Sequence, residues 1–337
     1  LVGGQKRTPP EWLKTYGVWL IPVGFLLIVW AEHVFKMTSH PFATGILLLS
    51  LIMAAILFAA VFERETFCRH VCPLGNLGAI LSPAGTLGVR ANPNVCATQC
   101  TTHECNKGSD KYLGCPVFHH PLYVRNSHVC KMCFNCIKSC PHGSARLYLR
   151  APLQRIWRLG EISNVVDLFS LTIFFAAPVL LASVTTDLLH NPIVFTGVLS
   201  LAFGAAVVAS AGQQRLFGSN DESDSLATRV SLALLALSWG TFASFPLSNI
   251  PGIQELRIQA ASGTWLVPAE GIPMLAVLQT GVFLIAILAT WICLGVIARR
   301  AKEKGHEISR RGWLYISGMV VVHVVGVVCL IACLLYT

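Results

Sequence analysis

Cys130, Cys133, Cys136 and Cys140, the last followed by Pro141, stand in the spacing C-x2-C-x2-C-x3-C-P. Thiolates are ligands of soft and redox-active metals, and four in such a run is the spacing that holds a [4Fe–4S] cubane. The first three can cap one face of a cluster from a tight turn, while the fourth, with its proline, is aimed at a different cluster. A zinc ribbon is the alternative for clustered cysteines, but its knuckles come as separated C-x2-C pairs. The run therefore predicts one cluster and calls for a second set of ligands.

That second set lies upstream, at Cys96, Cys100, Cys105 and Cys115, the last followed by Pro116. In two-cluster ferredoxins each motif gives three cysteines to its own cluster and its Cys-Pro to the other. Carried over, the exchange assigns Cys130, Cys133, Cys136 and Cys115 to one cluster, and Cys96, Cys100, Cys105 and Cys140 to the other. Spacings of three, four and nine residues make the upstream loop take a different path around its iron. A zinc site with His103 as fourth ligand is the alternative there. Two further cysteines form Cys68-x3-Cys72-Pro73. On a continuing helix, positions i and i+4 share a face, so both sulfurs would point the same way. Two thiolates do not complete a cubane. Additional metal ligands, a reactive dithiol and inert thiols all remain open for this pair.

The elements that must carry these ligands follow from composition. Of 337 residues, 54% are hydrophobic and 12% charged, against roughly 25% charged in soluble domains. A bilayer core needs about 20 apolar helical residues, and backbone groups inside it must be satisfied within the helix. Seven spans are predicted, near 17–36, 42–62, 163–186, 193–211, 226–246, 273–297 and 313–336. The fold class is thus an all-α polytopic membrane protein with an inserted α+β two-cluster ferredoxin-like domain. Its expected divisions are 1–63 with the first two helices, 64–158 as the iron–sulfur insert, and 159–337 with the remaining helices. The chain opens Leu1-Val2-Gly3-Gly4, without methionine or a signal-peptide pattern, which predicts a processed, tagged or N-terminally incomplete chain.

Charge orients the spans. If they alternate, every Lys and Arg except Lys36 and Arg257 lies on or beside one side, including Arg299, Arg300, Lys302, Lys304, Arg310 and Arg311 in one loop. By the positive-inside rule that side is cytoplasmic. It holds the insert and ten of the 13 cysteines, in a reducing compartment where disulfides do not persist and metal ligation is the economical reading. Nothing in the insert presents a recognition helix or aromatic-rich binding strands, so no nucleic-acid partner is expected.

Cys-x3-Cys-Pro-Leu-Gly at a span end, a Gly-rich linker and two ferredoxin motifs together resemble the membrane-bound polyferredoxins of the NapH/NosR type, over roughly residues 60 to 150. Those proteins serve periplasmic nitrate reductase and nitrous-oxide reductase. The resemblance implies an electron-transfer subunit in a bacterial or archaeal cytoplasmic membrane, part of a hetero-oligomeric complex with a cytochrome or metalloenzyme. Such proteins usually carry two C-x3-C-P motifs, whereas this chain has one.

A cluster protein set among spans suggests exchange with a lipid-soluble quinone. Asp167, at the start of the third span, would receive a quinol proton, or serve as a helix N-terminal carboxylate favoured by the dipole. A haem b is not the expected occupant; His33 and His190, near the outer ends of their spans, are the pair one would use. His323 falls mid-span with no second histidine at its depth, and is expected as a neutral imidazole bonded to a helix carbonyl. Cys329 and Cys333 are expected as small apolar residues packing against a neighbour. The loop from Phe245 to Pro273, around Trp265, reads as a partner contact or as buried against the helices. The function expected is electron transfer between the quinone pool, or a cytoplasmic donor, and a partner redox protein. An assembly protein for a partner metalloenzyme is one alternative. A catalytic quinone oxidoreductase is another, though no flavin or nucleotide fingerprint supplies its second site.

Overall fold

Long apolar helices dominate the computed structural model, which describes residues 7–37, 39–62, 66–81, 85–116, 120–122, 130, 132–149, 164–185, 187–217, 226–249, 271–303 and 308–336. The chain divides into two compact units, residues 1–166 with 221–224, and residues 167–220 with 225–337.

The first unit opens with two long apolar helices, α1 (Glu11–Val34) and α2 (Pro41–Val61). Pro41 stands in the first turn of α2, where its missing N–H costs nothing. No residue of α2 is buried, although the helix is apolar all round. Such a surface belongs in lipid or against another subunit. Two short helices follow, α3 (Thr66–His70) and α4 (Pro73–Leu81). The expected continuous helix through Cys68 and Cys72 is therefore broken: α2 ends at Val61, α3 runs five residues, and Pro73 restarts the chain as α4. Proline cannot donate the helical N–H and pushes the residue before it out of the α region.

The cysteine-rich stretch is closed by a two-stranded antiparallel sheet, β1 (Leu87–Ala91) against β2 (Ala145–Leu149). Leu87 pairs with Leu149 and Ala91 with Ala145. Arg90 directly opposes Arg146, an unfavourable pairing of like charges. It is relieved because Arg90 lies over the Tyr148 ring at 5.1 Å and Arg146 Nε donates to the Gly143 carbonyl at 3.1 Å. Among the described residues between the strands are three short helices, α5 (Pro93–Thr98), α6 (Glu104–Lys107) and α7 (Asn135–Ser139). Asn92 caps α5 by accepting from the Asn94 N–H at 3.1 Å, with Pro93 at the first helical position.

The second unit is a helical bundle of α8 (Asn164–Thr185), a 3-10 turn (Asp187–His190), α9 (Pro192–Phe217), α10 (Leu226–Asn249), α11 (Gly271–Glu303) and α12 (Arg310–Tyr336). Asn191 caps α9 through the Ile193 N–H at 3.0 Å. α10 packs along α11, and Gly240 takes the Ala286 methyl where a side chain would collide with it. Small residues at such a crossing let helices approach closely.

Among the described residues six helical stretches are long and apolar enough to cross a membrane, within α1, α2, α9, α10, α11 and α12. The third expected span, 163–186, forms α8 (Asn164–Thr185). Its described side chains, Asp167–Ser183, are largely apolar and mostly buried inside the second unit. The basic cluster also sits differently from a plain loop: Arg299, Arg300 and Lys302 continue α11, and Arg310 opens α12. Cations at the C-terminal end of α11 interact favourably with its dipole. Arg64, Arg150, Arg155, Arg158, Lys304, Arg257, Trp265 and most of the expected outer loop lie outside the described residues, as does the Cys333 side chain.

Candidate metal centre

Each of the twelve described cysteines is a free thiol. Around Cys133 the backbone turns twice through the left-handed region, at Met132 (φ 53°) and Phe134 (φ 60°). Each such non-glycine residue costs ~1–2 kcal/mol and persists only where its surroundings enforce it. The second of these starts α7: the N–H groups of Ile137 and Lys138 donate to the Phe134 carbonyl at 3.0 and 3.1 Å, which carries Cys136 into the helix. Ser139, at the end of α7, donates to the Leu113 carbonyl at 3.3 Å and so ties the run to the residues just before Cys115. Burial pushes the Cys136 thiol up to about 12, helped by Cys130, then Cys115, Cys133 and Cys105.

A parallel grouping surrounds Cys105. It is buried in α6, and burial, then Cys140, Cys100 and Cys96, push its thiol up to about 11. Ser144 joins two members of this set. Its N–H donates to Cys140 Sγ at 3.3 Å, and its hydroxyl lies 3.3 Å from Cys96 Sγ. The same hydroxyl accepts from the Asn92 N–H at 3.0 Å, and the Ser144 carbonyl accepts from that N–H at 3.3 Å, which extends the β1–β2 ladder by one step. The two groupings touch through the Cys115 N–H, which donates to the Cys105 carbonyl at 3.1 Å. Gly114 makes this approach feasible, since a Cβ there would run into the Asn106 carbonyl and the Gly108 nitrogen.

Cys130, Cys133 and Cys115 surround Cys136, Cys96, Cys100 and Cys140 surround Cys105, and Cys105 also bears on Cys136, so the two groupings adjoin. Among the described residues no three His, Cys, Asp or Glu side chains form a group that could hold a metal ion. Thiolates about one zinc must all come within about 2.3 Å of it, whereas a cubane offers its irons at separate corners and keeps its thiolates further apart. The all-thiol donor set, buried or partly buried except at Cys133 and met by the Ser144 N–H and hydroxyl, fits [4Fe–4S] chemistry. Protons must leave these thiols as metal enters. His103, the alternative zinc ligand, is exposed, adopts φ 53° and packs edge-on against His120 with ring centres 5.6 Å apart. Burial, and His103 beside it, hold the His120 imidazole below its ordinary range.

Cys68 and Cys72 remain neighbours despite the broken helix. Burial pushes the Cys68 thiol up, and Cys72 beside it adds to the shift. Asn76 staples the turn, its amide donating to the carbonyls of Cys68 (3.1 Å) and Cys72 (3.0 Å), while the Gly75 N–H reaches Cys72 Sγ at 3.5 Å. Gly75 abuts the Cys68 backbone, where a Cβ would come within 2.9 Å of its carbonyl oxygen. α1 lies against the same turn, presenting Gly17 to His70 and Gly24 to Pro73.

The remaining candidates are placed as follows. His33 ends α1 in the first unit, and His190 ends the 3-10 turn in the second. Asp167 stands in the first turn of α8, as a helix N-terminal carboxylate would, and is buried there: it accepts from Ser210 at 3.0 Å and from Ser231, and the Gln213 amide, its nitrogen turned toward the carboxylate, donates at 3.1 Å. His323 is buried and meets the Thr241 hydroxyl at 3.0 Å in addition to the Phe174 backbone, with the Phe174 ring centred 4.3 Å away. Cys329 is exposed, contrary to the expected packing contact. Ser144, Asn76, Ser210, Ser231, Gln213 and Thr241 were missed in the sequence because isolated Ser, Thr, Asn and Gln residues carry no spacing signal. Only Ser144, four residues after Cys140 and at a strand start, had a local cue.

Residues 44–90 match the family described as a 4Fe-4S binding domain, which supports at least one iron–sulfur cluster. The match contains Cys68 and Cys72 and ends before Cys96. The chain is also similar to YccM of Escherichia coli (strain K12), a protein named provisionally for electron transport, at 23% identity over 192 residues, 51% of this chain and 52% of that one. The chain thus spans about half the length of the curated relative it matches. No solved structure matches.

Proposed function

We propose that this chain is a membrane-bound iron–sulfur electron-transfer subunit that holds two [4Fe–4S] clusters, as in the NapH/NosR-type polyferredoxins it resembles. It would pass electrons between the quinone pool, or a cytoplasmic donor, and a partner redox protein. The supporting observation is Ser144, whose N–H and hydroxyl bring Cys140 and Cys96 to one point although 44 positions separate them in the chain. This proximity supports the crossed exchange of two ferredoxin motifs, in which the Cys-Pro of the downstream motif would join the upstream cluster. Cys130, Cys133, Cys136 and Cys115 would hold one cluster, and Cys96, Cys100, Cys105 and Cys140 the other. When bound, each supplies a one-electron store whose potential follows burial and hydrogen bonding to its sulfurs. The chain's own part is to exclude water, to hold the thiolates on the strained turns at Met132, Phe134 and His103, and to donate hydrogen bonds through Ser144.

The basic residues near the ends of the apolar helices favour an insert facing the cytoplasm of a bacterial or archaeal cell, and the unburied surface of α2 favours a hetero-oligomeric setting. In the test, the anaerobically purified chain in lipid vesicles is mixed with a short-chain quinol or a reduced low-potential protein donor, and the visible absorbance of oxidised clusters is followed. Bleaching by one of these donors is expected. Bleaching by dithionite but by neither donor contradicts the carrier reading.

A further inference from the structure

The second unit contains buried polar side chains at two depths. At one end Asp167 on α8 is held by Ser210 and Gln213 of α9 and Ser231 of α10. Deeper, His323 on α12 meets Thr241 of α10 and the Phe174 ring of α8. Two helices, α8 and α10, thus contribute to both sites. Seven residues, about 10 Å of rise, separate Asp167 from Phe174, and ten residues, about 15 Å, separate Ser231 from Thr241. Between the two levels lie Ser170 on α8 and Ser238 on α10. Both are fully buried, and neither hydroxyl has a hydrogen-bond partner among the described residues. Ser170 is one turn beyond Asp167, and Ser238 is one turn before Thr241, so they fall in the interval between the sites.

A buried hydroxyl without a partner is costly, and alanine would pack there at no such cost. Water bridging buried polar groups removes the penalty, provided other polar groups complete its hydrogen bonds. An ionisable residue within an apolar bundle is in turn a marker of proton relays. We propose that Asp167, Ser231, Ser170, Ser238, Thr241 and His323 form a water-bridged proton path from the end of the bundle to its apolar middle.

The balance is simple. The Asp167 carboxyl gives up one proton, each hydroxyl or water accepts one and releases one, and an imidazole nitrogen of His323 gains one. No electron moves. The other ionisable groups buried or half-buried on these helices are Arg229, two residues before Ser231, and Tyr315, whose hydroxyl donates to the Ala209 carbonyl at 2.7 Å. Tyr315 thereby has its proton committed. The path stands independently of the metal centre, because every group in it belongs to the second unit.

The test uses the whole chain, 15N-labelled at histidine, in phosphatidylcholine vesicles transferred from H2O to D2O. The imidazole N–H signal that disappears in His323→Gln is followed by NMR. It is expected to exchange at least ~100-fold faster than the surrounding α12 backbone amides, which open only with the helix. Asp167→Asn and the double variant Ser170→Ala/Ser238→Ala are each expected to slow it about tenfold or more, with amide protection unchanged. Exchange as slow as the amides in the unaltered chain, or unslowed in these variants, overturns the proposal. Should Asp167→Asn fail to fold, the double serine variant, which only removes oxygens, decides alone.

Discussion

Ser144 does with one residue what the spacing of the cysteines required of the whole insert. Its N–H and hydroxyl reach two sulfurs that belong to different motifs. Hydrogen bonds to cluster sulfurs raise the reduction potential, because they stabilise the more negative reduced state. Ser144→Ala keeps the N–H but removes the hydroxyl, so the cluster on Cys96 and Cys140 is expected to fall in potential by one hydrogen bond, ~1 kcal/mol or roughly 40 mV for one electron. A redox titration followed by EPR reads this directly, and an unmoved potential removes Ser144 from the account. Gly114 is constrained by space rather than by charge. Gly114→Ala would press a methyl into the Asn106 carbonyl and is expected to cost ~1–3 kcal/mol, seen as a lower Tm, and to release iron from the Cys115 site first.

Among the elements, α1 is the one whose role was hardest to foresee. Its apolar run announces a span, but Gly17 and Gly24 lie two turns apart on one face, against His70 and Pro73 of the Cys68–Cys72 turn. Gly17→Val is expected to lift α1 from that turn, because even a Cβ there comes within 3.2 Å of the His70 carbonyl oxygen. Maleimide labelling of Cys72, buried in the intact protein, should then rise severalfold; unchanged labelling would show that α1 does not cover the turn. Cys spacing and hydrophobic length are strong sequence signals, and hydrophobic length located the long apolar helices. The break after Val61, the burial of α8 and the partners of Asp167 depend on tertiary packing. A run such as 163–186 reads alike whether lipid or other helices surround it. The polar partners of Asp167 come from two other helices, 43 and 64 residues away, a separation that periodicity cannot report.

For the molecule as a whole, six long apolar helices among the described residues and a basic, thiol-rich insert support a membrane iron–sulfur protein. The proposed orientation predicts that alkaline phosphatase fused after Lys111, in the insert, stays inactive in a bacterial host, while a green fluorescent protein fused there fluoresces. The reverse pattern would place the insert outside. The two-cluster assignment has one decisive reading, the iron and acid-labile sulfide content of the anaerobically purified chain. About eight of each per chain are predicted, falling to about four in Cys115→Ser and in Cys140→Ser, with a different cluster's EPR signal lost in each. Fewer than about six irons in the unaltered chain, or zinc in place of iron, would contradict it.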